Sequence, residues 1–256
     1  MDEQTLLNFA VGVGEVMLAN GAETHRVEDT VERILSVKEG RMPETFVTPT
    51  GFFASIQGPL TGTITKFRRI SRRSINLEKV TRANSLSRNF VAGKITLHEG
   101  FAELERIEKM LPFSRNLVVV CYGAVCSSFA LLFNGTIYDA LAAFFVGIFL
   151  GIIAELMEMK KVSPFLVSLL GGVSITIITL AFYHFGFGTN YNIVITGCLM
   201  PLVPGFALTN SIRDIMNGDF ISGTARLVEA LITAVAVAAG VGIVLSILNL
   251  LGGFIS

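Results

Sequence analysis

The chain has 256 residues, 52% of them apolar and 16% charged, with a mean hydropathy of +0.64. Twenty Lys and Arg balance twenty Asp and Glu, so no net charge draws it to nucleic acid or another polyanion. The composition excludes a secreted disulfide scaffold, a disordered tail and a wholly soluble enzyme.

The average conceals a division. Residues 1–115 hold 16 of the 20 basic and 14 of the 20 acidic residues, leaving only ten charges in residues 116–256. So much apolar surface needs lipid around it. The chain therefore reads as an α+β cytoplasmic domain, 1–115, followed by an α-helical polytopic membrane domain of five transmembrane helices, 116–256. It opens Met1-Asp2-Glu3-Gln4, without the basic n-region of a secretory signal.

In the first part, Leu6, Phe9, Ala10, Val13, Val16 and Met17 recur at helical spacing, which predicts an amphipathic helix over 4–20. Asn20-Gly21 ends it, with Gly21 suited to a left-handed cap. A second helix is expected over 23–38, with Val27, Val31, Ile34 and Leu35 on its apolar face and an Asp29–Arg33 pair outside. Residues 45–48, 52–57 and 61–67 are β-branched and aromatic, punctuated by Pro49, Gly51, Gly58, Pro59 and Gly62, and read as an antiparallel meander. Helices are expected over 77–91 and 96–110, with Pro112 as a break. The basic run Lys66-Phe67-Arg68-Arg69-Ile70-Ser71-Arg72-Arg73 suits a solvated edge or contact with anionic lipid headgroups, rather than nucleic acid.

The second part contains five apolar stretches, 117–133, 140–157, 164–185, 191–209 and 227–251, each near the roughly 17–25 residues a helix needs to cross a bilayer. Arg115, Lys160, Lys161, Arg213 and Arg226 flank alternate breaks, while 134–139 and 186–190 contain no Lys or Arg. That asymmetry predicts a cytoplasmic N-terminus and an outside C-terminus. Gly147-Ile148-Phe149-Leu150-Gly151 and Gly171-Gly172 suit close helix approach. Cys121, Cys126 and Cys198 lack metal or redox spacing and read as packing residues. Asp139 and Glu155 are expected at the two membrane interfaces.

In the fourth stretch, Pro201 and Pro204 remove two backbone donors, and Gly205 relaxes the dihedral restriction just after them. A kinked or unwound helix is expected near the bilayer centre, with freed carbonyls of the kind that line transporter substrate sites. Asn210, Arg213, Asp214 and Asp219 follow as a polar loop. Arg226 and Glu229 open the fifth stretch, where a carboxylate one turn inside a span is a candidate proton carrier or substrate partner. Enzyme motifs are lacking: there is no nucleophile elbow, phosphate loop or dinucleotide fingerprint. His25, His98 and His184 have no sequence spacing to acids or thiols that marks a metal site, and no cofactor is expected.

The run Asn20-Gly21-Ala22-Glu23-Thr24-His25-Arg26-Val27-Glu28-Asp29-Thr30 resembles the opening signature of the threonine/serine exporter family. Val203-Pro204-Gly205-Phe206-Ala207-Leu208-Thr209-Asn210-Ser211-Ile212-Arg213-Asp214, continuing through Gly218-Asp219 and Ser222-Gly223-Thr224-Ala225-Arg226, resembles its later signature. The resemblance implies a bacterial inner-membrane exporter of small polar metabolites, threonine and serine or dicarboxylates such as succinate, driven by the proton gradient. Five spans resemble the larger subunit of a split exporter, which would need a second small membrane subunit. A similar five-span half following the first would lie inverted in the membrane. Pro201, Pro204, Gly205, Asn210, Arg213, Asp214, Arg226 and Glu229 are the substrate-pathway candidates, and Gly21, Ala22, Glu23, Arg26 and Glu28 mark the first signature. A membrane-anchored enzyme and a structural or sensing subunit stay open as alternatives.

Overall fold

The computed structural model describes residues 2–37, 40–58, 62–111, 113–160 and 162–250. Lys38, Pro59, Thr61, Pro112, Lys161 and Leu251, which figure in the sequence expectations, lie outside the described residues. The chain divides into two compact units, Met1–Leu111 with Ala207–Leu227, and Pro112–Phe206 with Val228–Ser256. The segment following the fourth apolar stretch thus belongs to the first unit.

The first unit is built around helix α1 (Glu3–Ala19), capped by the Asp2 carboxylate, which accepts from the Thr5 N–H. An amphipathic helix with one apolar stripe is expected there, yet Leu7, Val11 and Leu18 are buried as well as the predicted face. The reason is that α1 is central. It packs against α2 (Thr24–Leu35), α3 (Leu77–Val91), α4 (Leu97–Glu108) and the sheet. Helix α2 keeps a single apolar stripe of Val27, Val31, Ile34 and Leu35, and it ends at Leu35.

The sheet is an antiparallel meander of β1 (Met42–Thr48), β2 (Gly51–Gly58) and β3 (Gly62–Arg69), in the order β1-β2-β3. Period-two alternation buries Phe52, Ala54 and Ile56 of β2 in the core that contains α1. The opposite face carries a row of phenylalanines, Phe46 opposite Phe53 opposite Phe67, each about half exposed. Within the basic run, Lys66 donates to Asn8 Oδ1 at 2.7 Å and Arg68 pairs with Glu15, while Arg69 and Arg72 are exposed.

In the second unit, α5 (Arg115–Leu132) and α6 (Ile137–Met159) pack closely because glycines line their contact. A methyl group on Gly147 would lie 2.8 Å from Gly123 Cα and 2.8 Å from Cys126 Sγ, so the Gly147–Gly151 motif serves an approach within the chain. Helix α7 (Pro164–His184) meets the glycine of another helix in the same way. A methyl on Gly172 would lie 2.6 Å from the Val237 carbonyl of α10 (Phe220–Leu250). Cys126 and Cys198 are buried in the core with Ala130, Ala142, Ala143 and Val146, as packing residues are.

Asp139, expected at an interface, is fully buried. It accepts the backbone N–H groups of Thr136, Thr189 and Asn190 at 2.9, 2.6 and 2.8 Å and the Thr189 hydroxyl at 2.7 Å, clasping two loops. Arg115 lies 3.8 Å from Glu155 and ties the start of α5 to the end of α6.

Among the described residues, four helices are long and apolar enough to cross a bilayer: α5, α6, α7 and α10. The count reaches five if the pair Tyr191–Leu202 and Gly205–Met216, bent by 51°, is one span. Its halves are α8 (Tyr191–Leu199), extended by a 3-10 turn over Met200–Leu202, and α9 (Gly205–Met216). Val203 is extended, and the break falls at Val203-Pro204, where the prolines and Gly205 place it. Phe145, Phe149, Val235 and Ile243 remain exposed on these helices, an apolar surface suited to lipid.

Candidate functional site

Two helix corners of one design frame the site. Helix α1 ends on Asn20-Gly21, where Gly21 takes φ +99°, the Ala22 N–H donates to Met17 O at 3.0 Å and the Gly21 N–H donates to Leu18 O at 3.3 Å. Helix α9 ends on Asn217-Gly218, where Gly218 takes φ +94°, the Asp219 N–H donates to Asp214 O at 2.9 Å and the Gly218 N–H donates to Ile215 O at 3.0 Å. Both are Schellman closures, in which a glycine without a Cβ penalty turns the chain and satisfies the last helical carbonyls. Each feeds a new helix almost at once, α2 at Thr24 and α10 at Phe220. The polar loop expected around Asn210, Arg213 and Asp214 is therefore helical, and only residues 217–219 link α9 to α10. Helix α10 begins seven residues before the predicted fifth span, because Ser222 and Arg226 make its first turns polar without disfavouring a helix.

The first unit brings the two corners together. Asp214 is fully buried and accepts the Thr24 N–H at 3.1 Å and the Thr24 hydroxyl at 3.2 Å. Glu23 occupies the N-cap of α2 without making a side-chain cap bond, so the capping acceptor arrives from α9 instead. A carboxylate there also meets the positive end of the helix dipole. Arg226, itself buried, lies with Nε 3.1 Å from Asp214 Oδ2 and donates from Nη2 to the Ala22 carbonyl at 3.0 Å. Asn210 donates to the Gly21 carbonyl at 3.1 Å, and the Ser222 hydroxyl donates to the Val47 carbonyl at 3.2 Å.

Glu23 is buried between two guanidinium groups, hydrogen-bonded to Arg213 and 3.0 Å from Arg26. Burial pushes its carboxyl up, but the Arg213 hydrogen bond and the Arg26 charge outweigh that and hold it below its ordinary value. Glu28, one turn on, accepts from the Val47 N–H at 2.8 Å. Burial and the neighbouring carboxylates of Asp219, Glu32 and Asp214 nevertheless push it up to about 7. Asp219 is raised in turn, by burial and by Asp214, with His25 opposing.

All five residues of the first signature and Asn210, Arg213, Asp214 and Arg226 of the second thus converge. Pro201, Pro204, Gly205 and Glu229 fall in the second unit; the first three form the break and Glu229 lies on α10. Thr24, His25 and Ser222 stand within the two signatures but not among the site candidates, and Asn217 stands in neither. The repeated Asn-Gly corner was the available signal. His25 bears on the metal reading: one donor atom each from His25, Asp214 and Asp219 lies within 4.8 Å of the others. Sequence spacing hid this because the acids come some 190 residues later.

The arrangement can hold positive groups with buried carboxylates, and the Thr24–Asp214, Glu23–Arg213 and Ala22–Arg226 hydrogen bonds tie one corner to the other. The threonine/serine exporter family model (ThrE) matches residues 8–248. The "Probable succinate transporter subunit YjjP" of Klebsiella aerogenes is 26% identical over 193 residues, 74% of this chain and 73% of that protein. Its namesake in Escherichia coli is also 26% identical, over 74% of each chain. The "Probable threonine/serine exporter" of Mycobacterium tuberculosis is 22% identical over 92% of this chain, which spans 45% of that protein. No solved structure matches. With the family matched over nearly its whole length and its apolar helices those of a multi-pass membrane protein, the chain belongs to the threonine/serine exporter family.

Proposed function

We propose that the chain is a subunit of an exporter that moves small polar metabolites out of the cell, either threonine and serine or dicarboxylates such as succinate. The proton gradient drives it, and a second, small membrane subunit completes it. It sits in the bacterial inner membrane with residues 1–115 cytoplasmic and the end of the fifth helix outside. The names of the relatives support both substrate classes and the subunit role. Loop charge supports the orientation, because the basic residues of the second half avoid 134–139 and 186–190.

The observation that carries this reading is the joining of residues 21–28 with residues 210–226 in one buried polar network. Apolar side chains would hold two corners together at lower desolvation cost, so paired charges there favour a working role. Helix α10 runs unbroken from Phe220 to Leu250, and α9 is the second limb of the bent span. In this reading Pro201, Pro204 and Gly205 open carbonyls to the substrate, Glu229 takes a proton or a substrate ammonium, and Asn210, Arg213, Asp214 and Arg226 with Gly21, Ala22, Glu23, Arg26 and Glu28 form the gate. Exposed Arg69 and Arg72, near Phe67, support contact of the 66–73 run with anionic headgroups.

The test is efflux of preloaded threonine, serine and succinate from exporter-deficient bacteria, with this chain alone and with its small membrane subunit. Efflux with both, abolished by collapsing the proton gradient, supports the proposal. Efflux with this chain alone removes the partner. No efflux in either strain, with both proteins in the membrane, overturns transport and leaves a structural or sensing subunit.

A further inference from the structure

We propose that His25, Asp214 and Asp219 bind one divalent transition-metal ion, of the Zn2+ or Mn2+ class, at the point where the two helix corners meet. His25 stands in the first turn of α2, Asp214 in the last turn of α9, and Asp219 just beyond the Gly218 closure. The Schellman bond from the Asp219 N–H to Asp214 O sets the two carboxylates side by side.

One donor atom from each residue lies within 4.8 Å of the other two. Metal–nitrogen and metal–oxygen bonds of about 2.1 Å place tetrahedral donors about 3.4 Å apart, so side-chain rotations that shift the donor atoms by about 1 Å close the set. An independent observation marks the same place: Asp219 Oδ2 is buried and has no hydrogen-bond partner. A buried carboxylate oxygen in that condition is costly unless a cation meets it.

The surrounding charge points the same way. Arg226 offsets Asp214, while burial and the Asp214 charge push Asp219 up, and burial with the Asp219 charge among others pushes Glu28 up. Thr24 holds the Asp214 carboxylate by two hydrogen bonds, and the Asn217 carboxamide lies 3.3 Å from His25 Nδ1. Outer contacts of this kind fix the orientation of metal ligands. One imidazole nitrogen with two carboxylate oxygens is a borderline donor set, better matched to Zn2+ or Mn2+ than to Ca2+, which takes about six to eight oxygens. Such an ion would pin the second signature to the first, and it would do so whatever the chain transports.

The test uses the purified full chain in detergent, stripped with chelator and titrated calorimetrically with Zn2+, Mn2+, Mg2+ and Ca2+, with Co2+ as an absorption probe. Saturable binding of about one Zn2+ or Mn2+ per chain is expected, with a raised Tm. Asp219→Asn and His25→Gln should each weaken binding at least tenfold, whereas His98→Gln, at an exposed histidine, should not. Metal-free Asp219→Asn should melt no lower than the metal-free parent, because it removes a carboxylate charge left facing another, and this separates loss of a ligand from loss of the fold. Absence of saturable binding, or binding unchanged by Asp219→Asn, overturns the proposal.

Discussion

Asp214 caps helix α2 from 190 residues away, its two oxygens accepting the Thr24 N–H at 3.1 Å and the Thr24 hydroxyl at 3.2 Å. The same carboxylate faces Arg226, so one buried group serves a helix terminus and an ion pair. Removing it takes away the carboxylate that faces the buried Arg226. Asp214→Asn should destabilise the protein by about 3–5 kcal/mol. Thr24→Val, which deletes only the hydroxyl bond, should cost about 1 kcal/mol. Chemical denaturation of the purified protein checks both, and equal losses would show that the charge is not what matters.

Glu28 gives the network a pH dependence. Its folded value of about 7 exceeds the ordinary 4.5, so the folded chain holds a proton there that the unfolded chain has released. Its contribution to stability is present below about pH 4.5 and is lost as pH rises to about 7. Burial raises it most, the charges of Asp219, Glu32 and Asp214 add to that, and the Val47 N–H opposes. Glu28→Gln removes that loss, so the Tm difference between variant and parent should move in the variant's favour between about pH 5 and pH 8. A difference constant across that range would contradict the assignment.

The contact of α5 with α6 has no room for side chains at Gly147. A methyl there would come within 2.8 Å of Gly123 Cα and of the Tyr122 carbonyl, both backbone. Gly147→Val should cost about 1–3 kcal/mol or more and reduce the folded protein recovered from membranes. Gly242, beside which no atom lies within 4 Å of an added methyl, supplies the control, and Gly242→Ala should be tolerated.

Asp139 holds the loop before α6 to the loop before α8 through the backbone of Thr136, Thr189 and Asn190. Asp139→Ala leaves those part-buried donors without their charged acceptor and should lower stability by about 1.5–3 kcal/mol. Detergent thermal-shift measurements read this directly, and an unchanged Tm would contradict it.

Much of this was legible in the sequence, where the signal is local. The helix over 77–91 is found at those bounds, the β-branched runs pair as the expected meander, and the chain breaks at Pro201–Pro204, because periodicity, turn residues and missing donors act within a few positions. The burial of α1 on several sides was not legible, since its surroundings come from α3, α4 and the sheet. Asp139 gave no sign of its clasp, because its partners Thr189 and Asn190 lie about 50 residues on. The convergence of Glu23 with Arg213, and of His25 with Asp219, needs the whole chain folded. Only the family resemblance of the two stretches marked them as belonging together.

Efflux by a single, well-folded variant tests the central claim most directly. Arg213 is half-exposed, and Glu23 keeps Arg26 when it is lost, so Arg213→Gln should fold and reach the membrane at the parent level. Alongside the small subunit in exporter-deficient bacteria, the parent should release preloaded threonine, serine or succinate in a gradient-dependent manner, and Arg213→Gln should release it several-fold more slowly. Parental efflux no faster than an empty vector, with both proteins in the membrane, would contradict export. Efflux by Arg213→Gln equal to the parent's would contradict the role given to the joined corners.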